Sequence, residues 1–188
     1  MYAQGIKQTY ESISHKIKMY GLLTAEARGQ MIKREIPDLL EVCDKLQYSF
    51  ENHSAPYNAL QFSSILSSVK DLSAFELGNF LNNPQSNHVL IDNDLLKVVL
   101  IRWEPGKVSS IHGHPAGGGV YKVLFGSIEE MRYTTGESPQ LLSVSQYHKG
   151  SMSYIDDTLG FHAVGNPFKT PAISLHAYTY GGLNVNNQ

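Results

Sequence analysis

Residues 120–134 read VYKVLFGSIEEMRYT: two runs rich in β-branched and aromatic residues, 120–125 and 127–134, separated by Gly126. The same texture continues outward in VVLIRW (98–103), LLSVSQY (141–147), MSYI (152–155) and AISLHAYTY (172–180). Between these runs sit Glu104-Pro105-Gly106, Thr135-Gly136-Glu137-Ser138-Pro139 and Lys149-Gly150. Short strands about 8–12 residues apart, punctuated by such turn residues, predict a mostly β, antiparallel sandwich or barrel.

Upstream of about Asn83 the apolar period lengthens to that of a helix. Ile6, Tyr10, Ile13 and Ile17 recur at steps of three and four, as do Ile32, Ile36, Leu39, Leu40 and Cys43, with a further short stripe at Phe62, Ile65, Leu66 and Val69. Gly21 suits a helix stop and Thr24, followed by Glu26 and Ala27, a helix start. Ser73 with Glu76 predicts a capping box opening AFELGNFL, and Asn82-Asn83-Pro84 an end to the helical region. The expected organisation is a single domain: a helical layer over 1–84, a β-barrel over 85–182 and a tail over 183–188.

At 188 residues and 41% hydrophobic, the chain suits one packed core. A formal net charge of −2 argues against nucleic acid or an anionic membrane as partner. No apolar run is long enough to span a bilayer, and the N-terminus lacks a signal-peptide core. A lone Cys43 fits a reducing compartment, so a cytoplasmic location is expected.

The chemistry concentrates in histidines. His112, His114, His148, His162 and His176 fall in the β half, and His112-Gly113-His114 is the sharpest feature. Two residues apart on a strand share a face, so both imidazoles can converge inside a barrel. Neutral imidazole is a ligand for iron, zinc, copper and nickel.

The run from Gly106 through His112, His114 and Gly126 resembles the first motif of the cupin superfamily. Gly150 with His162-Ala163-Val164-Gly165-Asn166 resembles the second, one residue longer than usual and without its proline. WEPGKVSSIHGH (103–114), YKVLFGSIEE (121–130), YIDDTLGFHAVGN (154–166) and PAISLHAY (171–178) narrow the resemblance to the cysteine dioxygenase family, the thiol dioxygenases of that superfamily. The resemblance implies a cupin double-stranded β-helix (a jelly-roll barrel) carrying an N-terminal α-helical layer. It implies Fe(II) on His112, His114 and His162, and a Ser-x-His-x-Tyr triad of Ser174, His176 and Tyr178 as catalytic residues. The tyrosine hydroxyl would then lie near the open positions of the metal. It implies addition of both atoms of O2 to the sulfur of a small thiol, with L-cysteine to cysteine sulfinic acid as the first expectation. 3-Mercaptopropionate or another small thiol is the alternative within the class. A noncatalytic small-molecule-binding cupin and a metal-dependent isomerase or sugar-processing cupin are alternatives outside it.

Three departures from the family pattern matter. Where cupins carry a glutamate this chain has Gly119, which leaves a three-histidine site without a protein anion and clears volume beside the metal. The same glycine stands where some members carry a cysteine that cross-links to the triad tyrosine. The arginine or glutamine that meets the substrate carboxylate in the family is replaced by Asn87 or His88, depending on register. Arg102 and Arg132 are the other candidate anion partners, read here as a surface charge and as a solvated residue paired with Glu129 or Glu130. His148 is read as a surface histidine, His15 and His53 carry no signal, and Cys43 reads as a buried apolar group.

Overall fold

The computed structural model describes residues 24–51, 57–83 and 85–181. The stripe from Ile6 to Ile17, the stop at Gly21, His15, His53, Pro84 and the tail at 183–188 lie outside the described residues. The helical half contributes α1 (Ala25–Glu35), α2 (Pro37–Glu51), a 3-10 turn (Ala59–Phe62), α3 (Ser63–Ser67) and α4 (Ala74–Leu81). Thr24 caps α1 by accepting from Ala27 N. Ser73 and Glu76 form the reciprocal capping box of α4, satisfying two amides that would otherwise lack partners. The apolar stripe from Ile32 to Cys43 belongs to two helices, not one. Proline has no N–H to donate and clashes with the preceding turn, so the helix ends at Glu35 and a new one opens on Pro37. Four of the five stripe residues are buried; Leu40 is exposed.

Eight strands follow: β1 (Asn87–Asp92), β2 (Leu96–Trp103), β3 (Gly119–Phe125), β4 (Ser127–Tyr133), β5 (Leu141–His148), β6 (Met152–Ile155), β7 (Phe161–Gly165) and β8 (Ala172–Thr179). They form a five-stranded sheet, β1-β2-β8-β3-β6, and a three-stranded sheet, β5-β4-β7, with every pairing antiparallel. Isolated bridges Val108↔Gly165 and His112↔His162 attach the segment between β2 and β3 to the free edge of β7. The result is the expected mostly β double-stranded β-helix with helices laid on one side.

Strand alternation divides the large sheet into two faces. Leu96, Val98, Leu100, Ile173, Leu175 and Ala177 point outward and share one buried cluster with Ile32, Ile36, Leu39, Phe62, Leu66 and Phe80 of the helical layer. Burial of each such side chain stabilises by roughly 1.5–3 kcal/mol. Gly29 on α1 packs so close to the Val89 carbonyl that any Cβ would collide with it. The opposite face, with Trp103, Ser174, His176, Tyr178, Tyr121 and Val123, looks into the barrel, where a second apolar cluster joins Tyr121 and Val123 to Ile128, Val164 and Ala172.

Two cations tie the layers together. Neither α3 nor α4 carries a basic residue in its last turn. Arg102 Nη1 donates to the carbonyls of Phe80, Leu81 and Asn83 at 3.0, 2.9 and 2.6 Å, closing the end of α4, while its Nε meets Glu104 at 2.7 Å. Lys122 Nζ donates to Ser67 and Val69 carbonyls at 2.8 Å, just beyond α3. Arg102 is therefore not a surface charge. Ile101, Arg102 and Trp103 all border the barrel cavity, but the Arg102 guanidinium runs under α4 rather than into solvent.

Candidate metal centre

His112 and His114 do not sit on a regular strand. His112 forms a bridge to His162 through two backbone hydrogen bonds of 2.9 and 3.0 Å, and His114 follows in the loop, its amide held by Asp157 Oδ1 at 2.6 Å. This cross-link to β7, rather than strand periodicity, brings the three rings together. His162 Nε2 lies 3.0 Å from His114 Nε2 and 3.2 Å from His112 Nε2. Their ligand atoms form a group within 4.8 Å of one another.

The far sides of the rings decide which nitrogens are free. His112 Nδ1 faces the Ser110 carbonyl at 2.9 Å and His162 Nδ1 faces Glu130 Oε1 at 2.7 Å. Both partners only accept, so both Nδ1 atoms carry the proton and both Nε2 atoms present bare lone pairs. Burial lowers the His162 pKa, and burial with the neighbouring His162 and His112 pushes His114 down to about 3. Among the described residues, the buried Nδ1 of His114 has no hydrogen-bond partner. Two bare ring nitrogens facing each other, as His112 and His162 Nε2 do at 3.2 Å, repel unless a cation lies between them. A transition-metal ion at the usual nitrogen distance of about 2.0–2.1 Å resolves that conflict. The donor set fits a metal held by His112, His114 and His162.

Beside it, β8 carries a second polar row. Ser174, His176 and Tyr178 share one face, Ser174 Oγ lying 2.7 Å from His176 Nε2 and His176 Nδ1 3.0 Å from Tyr178 Oη. Trp103 Nε1 donates to Ser174 Oγ at 2.7 Å. An indole N–H can only donate, and among the described residues His176 Nε2 is the remaining hydrogen-bond partner of the fully buried Ser174 hydroxyl, so Ser174 turns its own proton to His176 Nε2. Burial pushes His176 down to about 3, which keeps the ring neutral with its proton on Nδ1, directed at Tyr178 Oη. The polarity of the row leaves the Tyr178 proton free to point away from His176, and burial raises the Tyr178 pKa, which holds the phenol protonated. Trp103 thus sets the direction of a row in which the triad motif alone leaves it open.

Gly119 explains the placement of Tyr178. A Cβ there would lie 2.5 and 2.7 Å from Tyr178 Cδ1 and Cε1. The volume that the missing glutamate vacates is therefore taken by the Tyr178 ring, which stacks with His114 at a centroid distance of 6.3 Å. It is not an open berth for a chelating ligand.

A cavity of about 400 Å³ opens onto this constellation, lined among others by His112, His162, His176, Tyr178, Trp103 and Asn87. Asn87 and His88 diverge because successive residues of β1 face opposite sides. His88 does not line the cavity. It is 1% exposed, its Nε2 faces the Gln85 carbonyl at 3.2 Å and its ring packs on Phe80 at 5.1 Å, so its candidacy for substrate binding is withdrawn.

Glu130 is the residue that sequence reasoning passed over. It is fully buried, and its partner Arg132 is drawn inward with it, donating to Glu130 Oε2 at 3.2 Å and to the Tyr154 carbonyl at 2.8 Å. The site is not without a protein anion: the carboxylate stands behind His162. Burial alone would raise its pKa, but the hydrogen bond from His162 and the Arg132 charge outweigh burial and hold it below the usual carboxylate range. The signal was present in the alternation of β4, which puts Glu130 and Arg132 on the face of the buried Ile128. His148 lies on the surface, its Nδ1 2.8 Å from Ser127 Oγ.

Similarity to known proteins follows the same part of the chain. The family described as cysteine dioxygenase type I matches residues 77–184. Cysteine dioxygenase type 1 of Danio rerio is 34% identical over 95 residues, covering 46% of each chain, and that of Rattus norvegicus is 30% identical over 92 residues with the same coverage. The chain spans about half the length of the curated relatives it matches. Among solved structures, a double-stranded β-helix protein from Klebsiella pneumoniae aligns at a TM-score of 0.43 and 20% identity, covering 53% of this chain and 84% of that one. A cupin domain from Bordetella pertussis aligns at 0.38 and 24%, covering 50% and 90%. With a match that takes in most of the α4 helix, all eight strands and every histidine of the cluster, the chain belongs to the cysteine dioxygenase type I family.

Proposed function

We propose that this chain is a non-haem Fe(II) thiol dioxygenase that converts a small thiol, RSH, and O2 into the sulfinic acid RSO2H. Both oxygen atoms end on sulfur, which is oxidised by four electrons while O2 is reduced. The observation that carries the reading is the convergence of three Nε2 atoms, with two of the three rings, His112 and His162, lining the same cavity as Tyr178. Iron bound by His112, His114 and His162 would supply the redox chemistry, and metal ligation would keep the thiol sulfur deprotonated at neutral pH.

The chain's own residues do the rest. Ser110 and Glu130 keep Nδ1–H on His112 and His162, so that Nε2 of each is available. Trp103, Ser174 and His176 hold the Tyr178 phenol in place with its proton directed outward, where it can donate to a polar group of the reacting species. Asn87 and Ser86 line the cavity and offer neutral hydrogen bonds to the distal end of the substrate.

L-Cysteine is the leading substrate, on the names of the matched relatives. Lining by Asn87 in place of an arginine favours 3-mercaptopropionate or another small thiol as the second reading, because a neutral amide does not reproduce a bidentate guanidinium contact. The reduced thiol of the buried Cys43 agrees with a cytoplasmic location, and among the described residues no helix is long and apolar enough to cross a membrane. The test is anaerobic loading with Fe(II), then O2 uptake with cysteine, 3-mercaptopropionate and cysteamine, with products identified by mass. One sulfinic acid formed at an O2-to-product ratio near unity supports the reading. An iron-loaded protein inert toward all three overturns it.

A further inference from the structure

Carboxylates are seldom fully buried without a purpose, because the cost of removing the charge from water is several kcal/mol. Glu130 is the only carboxylate among the buried residues described, and both of its oxygens are engaged. Oε1 accepts from His162 Nδ1 at 2.7 Å. Oε2 accepts from Ser153 Oγ at 2.9 Å and from Arg132 Nη2 and Nε at 3.2 and 3.3 Å. Arg132 is itself fixed, donating through Nη2 to Ser153 Oγ at 3.1 Å and to the Tyr154 carbonyl at 2.8 Å. The carboxylate is thus clamped from β6 and from its own strand, with one oxygen aimed at one ring nitrogen of the histidine cluster.

We propose that Glu130 is a positioning residue of the metal centre, which locks His162 in the Nδ1–H tautomer and supplies the buried negative charge that this three-histidine site otherwise lacks. The inference rests on the assignment of His112, His114 and His162 as ligands. A carboxylate behind a ligating imidazole fixes the ring, makes it a stronger base and offsets part of the charge of a divalent ion. Arg132 and Ser153 in turn hold the carboxylate in place without competing for Oε1.

Glu130→Gln separates this role from simple packing. Its side chain has nearly the same shape, but its carbonyl oxygen cannot serve both neighbours. Arg132 can only donate, so it holds the oxygen on its side, which turns the amide NH2 toward His162; the Ser153 hydroxyl can donate or accept and does not oppose this. His162 must then accept at Nδ1 and carry its proton on Nε2, where the metal would bind.

Two measurements test the proposal. Long-range nitrogen–proton NMR spectra of the metal-free wild-type protein should show His162 protonated at Nδ1, and those of Glu130→Gln should show it protonated at Nε2. Chelator competition with Fe(II), and with Zn(II) as a redox-inert probe, should show the variant binding about 10- to 100-fold more weakly than wild type. Glu130→Asp, which keeps the charge but shortens the reach, should fall between the two. Equal metal affinity in wild type and a folded Glu130→Gln overturns the proposal while leaving the ligand assignment intact. A wild-type protein that binds neither metal overturns the ligand assignment instead, and the tautomer then decides the part played by Glu130. Should Glu130→Gln not fold, the wild-type tautomer remains decisive, and a proton on Nε2 refutes the proposal.

Discussion

The two faces of the five-stranded sheet use the same strands for opposite purposes. On the outer face of β2 and β8, Leu96, Val98, Leu100, Leu175 and Ala177 are packed against helices, and the charged groups nearby end their reach on carbonyls at the helix ends. On the inner face, one residue away along the same strands, Ser174 and His176 are just as deeply set and Tyr178 is partly buried, the three bonded to one another in a row. The outer face stabilises by excluding water from apolar surface. The inner face holds polar groups in a dry setting, where their orientation is enforced because an unmet hydrogen bond costs about 1–3 kcal/mol. The two faces teach that burial here has two meanings, stability outside and chemistry inside.

That division is open to experiment, starting with the largest expected effect. His112→Ala removes a proposed metal ligand that lines the cavity from the segment between β2 and β3 and whose ring is partly exposed. Iron affinity, read by chelator competition, should fall more than about 100-fold, the upper range for merely supporting residues, while the thermal midpoint of the metal-free protein stays close to wild type. A parallel loss of both would break the separation of the faces.

Gly119→Ala comes next. Its Cβ would be placed 2.5 Å from Tyr178 Cδ1, so the tyrosine ring must move while the histidines keep their places. Turnover of the iron-loaded enzyme should drop on the order of 100-fold, as expected when a proton-handling group is displaced, with iron content unchanged. Tyr178→Phe should give a similar loss, and full activity in either variant would reduce Tyr178 to packing.

Arg102→Met probes the outer face. The C-terminal carbonyls of α4 would lose the guanidinium that closes them, at a cost of about 2–3 kcal/mol in urea unfolding. Metal affinity should not change, and a change would mean that the helical layer reports directly to the site.

An effect of similar size is expected in the pH dependence at His88. Burial pushes this imidazole from its ordinary 6.5 down to about 4. Between those values the unfolded chain binds a proton that the folded chain refuses, so the stability present above pH 6.5 is lost progressively as pH falls to 4. The contribution is about 2–3 kcal/mol. Unfolding midpoints at pH 7, 5.5 and 4 should fall less steeply in His88→Leu than in wild type. Parallel slopes would place His88 in contact with water.

Much of this was legible in the chain itself. The strand runs at 98–103, 120–125, 127–134, 141–147, 152–155 and 172–180 match strands of the structure to within about two residues. The capping box at Ser73 and the start at Thr24 formed as read. These features are local: a period of two, a turn residue or a cap is decided by neighbours in sequence. The same holds for Ser174, His176 and Tyr178, which share a face because they alternate on one strand.

What lies across the barrel or beneath the sheet was not local, and there the tertiary structure decided. Alternation along β2 shows that Arg102 faces away from Trp103, but not that the end of α4 waits there to receive its guanidinium. Which of Asn87 and His88 faces the cavity turned on a register that the pairing Asn87↔Ile101 shows. The convergence of His112 with His114 came from a bridge to β7, outside any regular strand, and Glu130 acquired its partner because β4 lies beside that same β7. Sequence spacing determines which way a side chain points relative to its own strand. What it meets there depends on packing between segments far apart in the chain, and that packing set the tautomers, the buried charge and the walls of the cavity.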